Sequence, residues 1–550
     1  MSTMTEQSAG SPAMANSLRA KLAQSLAATK PNAYIGTLGV FLGAGIATLN
    51  GRLITVGLAD MRGALGLGVD EAAWIPTAYN MALMFMGPLS VYLGALFGPR
   101  RVLLSAAAIF VLASILLPFS PNLNVMLVLQ VISGLASGTF YPLTLTYALR
   151  SLPLRYVIFG IGVYSMDILG VTNFAVPLEA WFTEHLSWHW IFWFSALVTP
   201  LMMFCIYRAI PNPPKRPSPT PALSWHGFLY ASFALSLIYG ALDQGERLDW
   251  LHSGVIVGML ATSAFLIAVA AVGRWIAPNP MVNLRFLARR NTLILAASLF
   301  SFRFVMLAVA LLIPGFLGAI QGYRPLETGR VLLWVVVPQL ALGVIAARLM
   351  RRFDGRLILA TGFAVVASAC LMNAQLTSAW AGDDFRISQV VIAIGLSFTF
   401  VGLVGCFVQQ ALDTGALVQP INVLTYAAFI HTVRILGGEI GTAVVQRLLS
   451  LREQYHSNMI GLHVASGDWL TEERLRALTG GLSPNSPGIE DAQGRAALVL
   501  GGQIKSQAYT LAYSDAFRVV AIVAAIAIVL IALMKPMKIY FDASSAEPAG

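Results

Sequence analysis

Asp167, Arg303 and Arg434 stand in sequence that otherwise excludes charge: IGVYSMDILGV, LFSFRFVMLAV and FIHTVRILGGEIG. A charge in the middle of an apolar stretch of membrane-spanning length costs at least about 2.5–3.5 kcal/mol on insertion scales, so it faces a cavity or a partner and marks a pathway. Such a carboxylate can work without any covalent step. Burial and a neighbouring guanidinium pull its proton affinity in opposite directions, so a movement that makes or breaks an Asp–Arg contact binds or releases a proton. On this reading Asp167 is the proton-responsive group. The alternative is a permanent pair of Asp167 with Arg434 or Arg303 that locks a domain. Around Arg434, the small residues of GGEIG read as close helix packing, with Glu439 as a local counter-charge.

Other chemistry is poorly represented. His185 and His189 have the i,i+4 spacing of a metal pair, but Trp188 and Trp190 beside them read as an interfacial aromatic belt. The Gly-rich GAGIATLNG follows no strand, so it is not a phosphate loop. No Walker motif, nucleophile–base set or CxxC pair is present. An enzyme, an ATP-driven pump and a disulfide framework are therefore not expected, and neither is a cofactor or a metal. Tyr79 and Asn80 could line a cavity or make ordinary interhelical hydrogen bonds.

These residues need elements to hold them. Of 550 residues, 57% are hydrophobic and only 11% charged, where a soluble domain has about 25% charged. Fourteen apolar stretches run roughly over 34–58, 73–96, 102–119, 123–148, 156–180, 189–209, 224–242, 252–273, 291–319, 326–348, 357–378, 387–411, 422–447 and 514–534. They are continuous, not alternating, so each is expected to cross the membrane as a helix that satisfies its own backbone. The expected fold class is an all-α membrane protein. The net charge of +10 comes from residues scattered in short loops, which argues against nucleic acid as a partner and for lipid.

Orientation follows from the basic loops. Arg100 and Arg101, Arg150 and Arg155, Arg208 with Lys215 and Arg216, Arg274 to Arg290, and Arg348 to Arg356 fall on one side. Acidic loops, among them Asp70, Asp243 and Asp384, fall on the other. Both termini are then cytoplasmic. Residues 1–33 are expected as a cytoplasmic tail without an apolar core, in which SLRAKLAQSLAATK reads either as a short amphipathic surface helix or as disordered chain. Residues 34–209 form a six-helix bundle, 210–290 a linker with two extra spans, 291–534 a second six-helix bundle and 535–550 a second tail. The turns FGPRRVLL and FDGRLIL, each after a helix pair, support this 6 + 2 + 6 plan of repeated halves. Residues 448–513, too polar to span, are expected as an outer loop of two short helices broken at 480–488.

With about 1.5 Å of rise per residue, Asp167, Arg303 and Arg434 each lie about 16–18 Å from the cytoplasmic edge, near the middle of the core. Arg52 lies further toward the outer side.

Several stretches in order carry a resemblance: FGPRRVLL, VLQVISGLASGTFYPL, SWHWIFWFSAL, DQGERLDWL, NPMVNLRFLARRN, TVRILGGEIGTAVVQ and AYSDAFRVVA. Over about residues 34–534 the chain resembles the major facilitator superfamily. More narrowly, it is similar to its fourteen-span drug:proton antiporters, the EmrB-like multidrug exporters. The resemblance implies a proton-coupled exporter of small amphipathic compounds in an inner membrane, with a periplasmic adaptor and an outer-membrane channel as partners. It puts Asn50, Arg52, Gln130 and Arg303 on the substrate cavity, and Gly98, Arg100, Arg101, Pro177, Arg434 and Glu439 at the gating interface between halves, together with Asp167.

Departures from the family pattern are informative. Asn50 and Arg52 stand where the first span usually carries Asp and then Thr, Gln130 replaces the fourth-span Arg, and Val91 and Ala95 replace a Gly and an Asp near the second turn. The fifth span reads AVPLEA, with Pro177 displaced and Glu179 and Ala180 in place of glycines. Arg434 matches. The cationic Arg52 and Arg303 favour a second reading, an exporter of organic anions such as an aromatic acid or siderophore-like molecule. The missing first-span Asp and fourth-span Arg favour a third, a sensor or assembly protein that does not transport.

Overall fold

A helix stands at each of the fourteen apolar stretches. The computed structural model describes residues 33–144, 154–210, 226–276, 287–413, 420–465 and 467–536, and no strand occurs among them. In chain order the long helices are α1 (Ala33–Val56), α2 (Trp74–Phe97), α3 (Pro99–Leu116), α4 (Leu123–Ser137), α5 (Leu154–His185), α6 (Trp190–Ala209) and α7 (His226–Gly245). They continue as α8 (Gly254–Ile276), α9 (Arg290–Gln321), α10 (Pro325–Leu349), α11 (Gly355–Asn373), α12 (Arg386–Asp413), α13 (Pro420–Gly461) and α14 (Ile489–Ala532). Twelve of the described helices are long and apolar enough to cross a membrane. The other two, α2 and α7, pack along each other. The tail helix expected before residue 33, the loop near 412–421 and several basic loops lie wholly or partly outside the described residues.

The expected loop at 448–513 is corrected. Here α13 and α14 run on as helices of 42 and 44 residues, about 63 and 66 Å long, roughly twice the hydrocarbon core. A short helix, Trp469–Leu482, rests on α14. Its N-cap Asp468 accepts from the Thr471 amide at 3.3 Å. At the base of the projection Asp515 of α14 accepts from Arg452 of α13 at 2.6 Å and meets His456 Nε2 at 2.8 Å. The sequence looks loop-like because a helix outside lipid needs no apolar surround.

The most extensive contact between helices joins α5 and α10. Glycines permit it: a Cβ on Gly162 would meet the Gly343 carbonyl oxygen at 2.8 Å, and one on Gly329 would meet Pro177 Cα at 2.8 Å. Between those points the Asn173 amide donates to Gln339 Oε1 at 3.4 Å. On the other seam, α2 meets α13 where the buried His431 ring fills the notch left by Gly87. Nearer the projecting end, α7 packs on both α2 and α13. By contrast α8 packs mainly on α7, and its apolar window is only 11% buried.

Candidate functional site

Two walls and a floor enclose a cavity of about 540 Å³ in the half of the bundle nearer the projecting end. The C-terminal halves of α1 and α9 face it, with the N-terminal parts of α2 and α10, the middle of α5 and α13, and Tyr239 and Asp243 of α7. Polar and charged side chains alternate with apolar ones around it, as suits a site that must accept an amphipathic guest.

Arginines set the character of its deep end. Arg52, Arg303 and Arg434 all line it. The Arg303 Nε donates to the Arg434 carbonyl at 3.1 Å, while the Arg434 guanidinium lies 3.8 Å over the centre of the Tyr141 ring. That cation–π contact holds one positive charge without neutralising it. Among the described residues none of the three arginines carries an ion pair, and the Nε atoms of Arg52 and Arg434 are buried without a hydrogen-bond partner. Three cations facing one apolar space present a strong positive field to whatever enters.

Below them an aromatic layer closes the cavity. Tyr141 neighbours both Tyr164 and His431, with ring centres 6.0 Å apart in each case. Tyr164 lies 5.8 Å from Phe400, and Phe400 lies 5.7 Å from Phe302. Rings from α5, α9, α12 and α13, with Tyr141 from the helical segment just past α4, thus bridge the two halves beneath the arginines. Further from the cavity, Ile161, Ala346, Ala347 and Met350 join residues of α11 and α12 in one apolar cluster. This half of the molecule is shut.

Asp167 is not brought to an arginine. Its Oδ1 points at Gly45 of α1, where an added Cβ would sit 2.6 Å away, and its Oδ2 is buried without a partner. Tyr164, one turn away on α5, stands with Tyr141 between it and Arg434. The expected Asp–Arg contact, whether permanent or switching, is absent among the described residues, because the α5 face bearing Asp167 turns to α1. Asn50 and Gln130 are fully buried with both amide atoms unpartnered, and neither lines the cavity. Asn80 lines it instead, while Tyr79 is buried with its hydroxyl toward the Ala47 carbonyl at 3.4 Å. Arg434 and Glu439, expected at the interface, face the cavity.

Pro177 sits at the α5–α10 seam against Gly329. Gly98 joins α2 to α3 with φ of 89°, a conformation that favours glycine. Arg100 lies 4.3 Å over the Tyr207 ring, and Arg101 is exposed. His185 and His189 stack on Trp181 and Trp188 at 5.5 and 4.4 Å. No cluster of metal-ligating side chains occurs among the described residues.

Sequence reasoning missed three contributors. Asp243 was placed in a loop because the seventh stretch was ended at residue 242, but α7 continues to Gly245 and carries it inside. Tyr239 lies one turn earlier on the same face, a spacing visible in the sequence. His431 is buried with both ring nitrogens unpartnered, and only its neighbour Arg434 drew attention.

A helical bundle in two halves, with a charged cavity at mid-depth and one side shut, defines a secondary transporter of the alternating-access type. The Major Facilitator Superfamily model matches residues 40–441, and the chain belongs to that superfamily. It is a multi-pass membrane transporter, not an enzyme. It is 25% identical to the colistin resistance protein EmrB of Acinetobacter baumannii, over 87% of this chain and 91% of that one. Identity is 22% to the probable multidrug resistance protein EmrY of Escherichia coli, over 91% and 95%. It is also 22% to the fatty acid resistance protein FarB of Neisseria gonorrhoeae, over 91% and 96%. Among solved structures, the proton:xylose symporter XylE shares the fold with a TM-score of 0.54 at 12% identity, covering 92% of this chain and 97% of its own.

Proposed function

We propose that this protein exports small amphipathic compounds, in exchange for protons, across a bacterial inner membrane. The carrying observation is the cavity of about 540 Å³ with Arg52, Arg303 and Arg434 at its deep end. Relatives named for multidrug and colistin resistance support the substrate class. The cavity end of the bundle is then the outer side, both termini are cytoplasmic and all fourteen helices span, in keeping with the basic loops. Proton coupling rests on buried carboxylates. Asp167 is the candidate within the closed half, where breaking the packing against Gly45 would expose it. The helical projection of α13 and α14 is offered as the seat of a periplasmic adaptor that hands the substrate to an outer-membrane channel.

The test uses everted vesicles from an efflux-deficient strain. Addition of an exported compound should collapse part of an established proton gradient, and Asp167→Asn protein, present at wild-type level, should not respond. Normal coupled export by Asp167→Asn would remove the carboxylate from the mechanism.

A second reading, an exporter of organic anions, is favoured by the three unpaired arginines and by the relative named for fatty acid resistance. Arg303→Gln should then lower export of a carboxylate amphiphile about tenfold more than export of a neutral one. Equal losses would count against it.

A further inference from the structure

Helices α7 and α8 interrupt the repeat of six and six, and nothing in a two-bundle plan requires them to touch the substrate. Their surroundings differ sharply. The apolar window of α8 is 11% buried, so lipid is its main neighbour. In contrast α7 is bonded to α2 along its length. Ser236 Oγ donates to the Met81 carbonyl at 2.7 Å, Thr77 donates to Asp243 Oδ2, and Gln244 Nε2 donates to the Ala73 carbonyl at 3.1 Å. Just past its end, Arg247 pairs with Asp70 at 2.6 Å and Glu246 with Arg447 of α13 at 3.6 Å. So α7 bridges the gap between α2 and α13 beside the cavity.

Through that gap α7 presents Tyr239 and Asp243 to the cavity, and both lie beside Glu439 of α13. An aromatic ring with a pair of acids beside it, the two acids joined by a hydrogen bond, is an arrangement that recognises an organic cation: the ring contributes its quadrupole and the acid pair its charge. Arg303 stands close to them: one of its terminal nitrogens lies 3.5 Å from the Cβ position of Gly438, the residue before Glu439. Glu439 is five residues beyond Arg434 on α13, about 7.5 Å along the axis. The cavity therefore holds acids and arginines side by side, and half of its acidic pair comes from the inserted helix.

We propose that α7 is a wall of the substrate cavity and that Tyr239 and Asp243, with Glu439, form a subsite for the cationic nitrogen of an amphiphile. This deepens the export reading and rests on it. The inserted pair then divides its labour: α7 selects substrate, and α8 shields the back of α7 from lipid.

Two readouts test the idea. Tyr239→Cys and Val257→Cys, on α7 and on the lipid-facing side of α8, are treated with a membrane-impermeant maleimide from the outer side; the native Cys205, Cys370 and Cys406 are buried and serve as background. Labelling is expected at 239 and not at 257, and ethidium should slow it while deoxycholate slows it less. In export assays Asp243→Asn should lower the ratio of ethidium to deoxycholate export about tenfold, the scale of one lost charge contact. Tyr239→Ala should shift the ratio in the same direction, covering the case in which Asp243→Asn fails to fold. No labelling at 239, labelling unaffected by ethidium, or an unchanged export ratio would overturn the proposal. Should the wild type export neither compound, the export reading fails by itself. Ethidium fluorescence on the purified protein then decides the subsite: Asp243→Asn should weaken binding about tenfold, and undiminished binding refutes it.

Discussion

The two seams between the halves are built on opposite principles. Where α5 meets α10, glycines bring backbone against backbone at Gly162 and Gly343 and again at Gly329 and Pro177, and the seam stays closed through both halves of the membrane. Where α2 meets α13, contact is less extensive and includes the His431–Gly87 notch, and α7 packs on both helices nearer the projecting end. The first seam offers a guest Thr172 and Thr328 but no charged group. The second carries Tyr239, Asp243 and Glu439. A repeated fold thus need not yield equivalent seams. One serves as a tight hinge, and the other has been opened and relined by an insertion.

Breaking the tight seam should have the largest effect. Gly162→Leu forces a branched side chain into a backbone contact, where overpacking alone costs roughly 1–3 kcal/mol. Export should be abolished and the midpoint of thermal unfolding in detergent lowered; a wild-type melting curve would mean the helices separate freely. Next comes Gly87→Leu, which displaces His431 from its notch on the wedged seam. About a tenfold loss of export is expected, with labelling at outer-side cavity positions changed because the closed half is disturbed. If Gly87→Leu proved as damaging as Gly162→Leu, the contrast between the seams would disappear. Removing one tie between α7 and α2, by Ser236→Ala, should be milder: interhelical hydrogen bonds in membranes average about 0.6 kcal/mol. Its signature is a small loss of thermal stability with export retained. Smallest for transport is His456→Ala at the base of the projection. It should leave the proton-gradient response of vesicles intact while making the projecting helices more susceptible to protease. A lost vesicle response would tie that region to the transport cycle itself.

Much of the frame was legible because lipid imposes a simple grammar. A segment that must bury its own backbone in hydrocarbon is long, apolar and helical, so all fourteen stretches could be read, most of them within a few residues. The rule loses its force at the ends of helices. Asp243 was missed because a single acid looks like the edge of a span, whereas here Thr77 and Gln244 of the bundle accommodate it. The continuations of α13 and α14 were missed for the related reason that a solvated helix can have any composition. Depth was readable for Asp167, Arg303 and Arg434, but direction was not. One apolar stretch resembles another on every face, so only packing shows that Asp167 turns to Gly45 while Arg303 and Arg434 turn inward together. Asn50 and Gln130 show the limit of inference by analogy. The resemblance leads one to expect charged residues lining the cavity there, and both are sealed away from it.

The stapled extension of α13 and α14 has a mechanical meaning. Each is one unbroken rod that runs through the bundle and on into the projection, α13 by its C-terminal end and α14 by its N-terminal end. A rod pivoting near its middle converts a small rotation at Arg434 and Glu439 into a larger sweep at its tip, in proportion to the overhang. Anything resting on that tip receives a report of the cavity's state, as the needle of a gauge reports a pressure it does not touch.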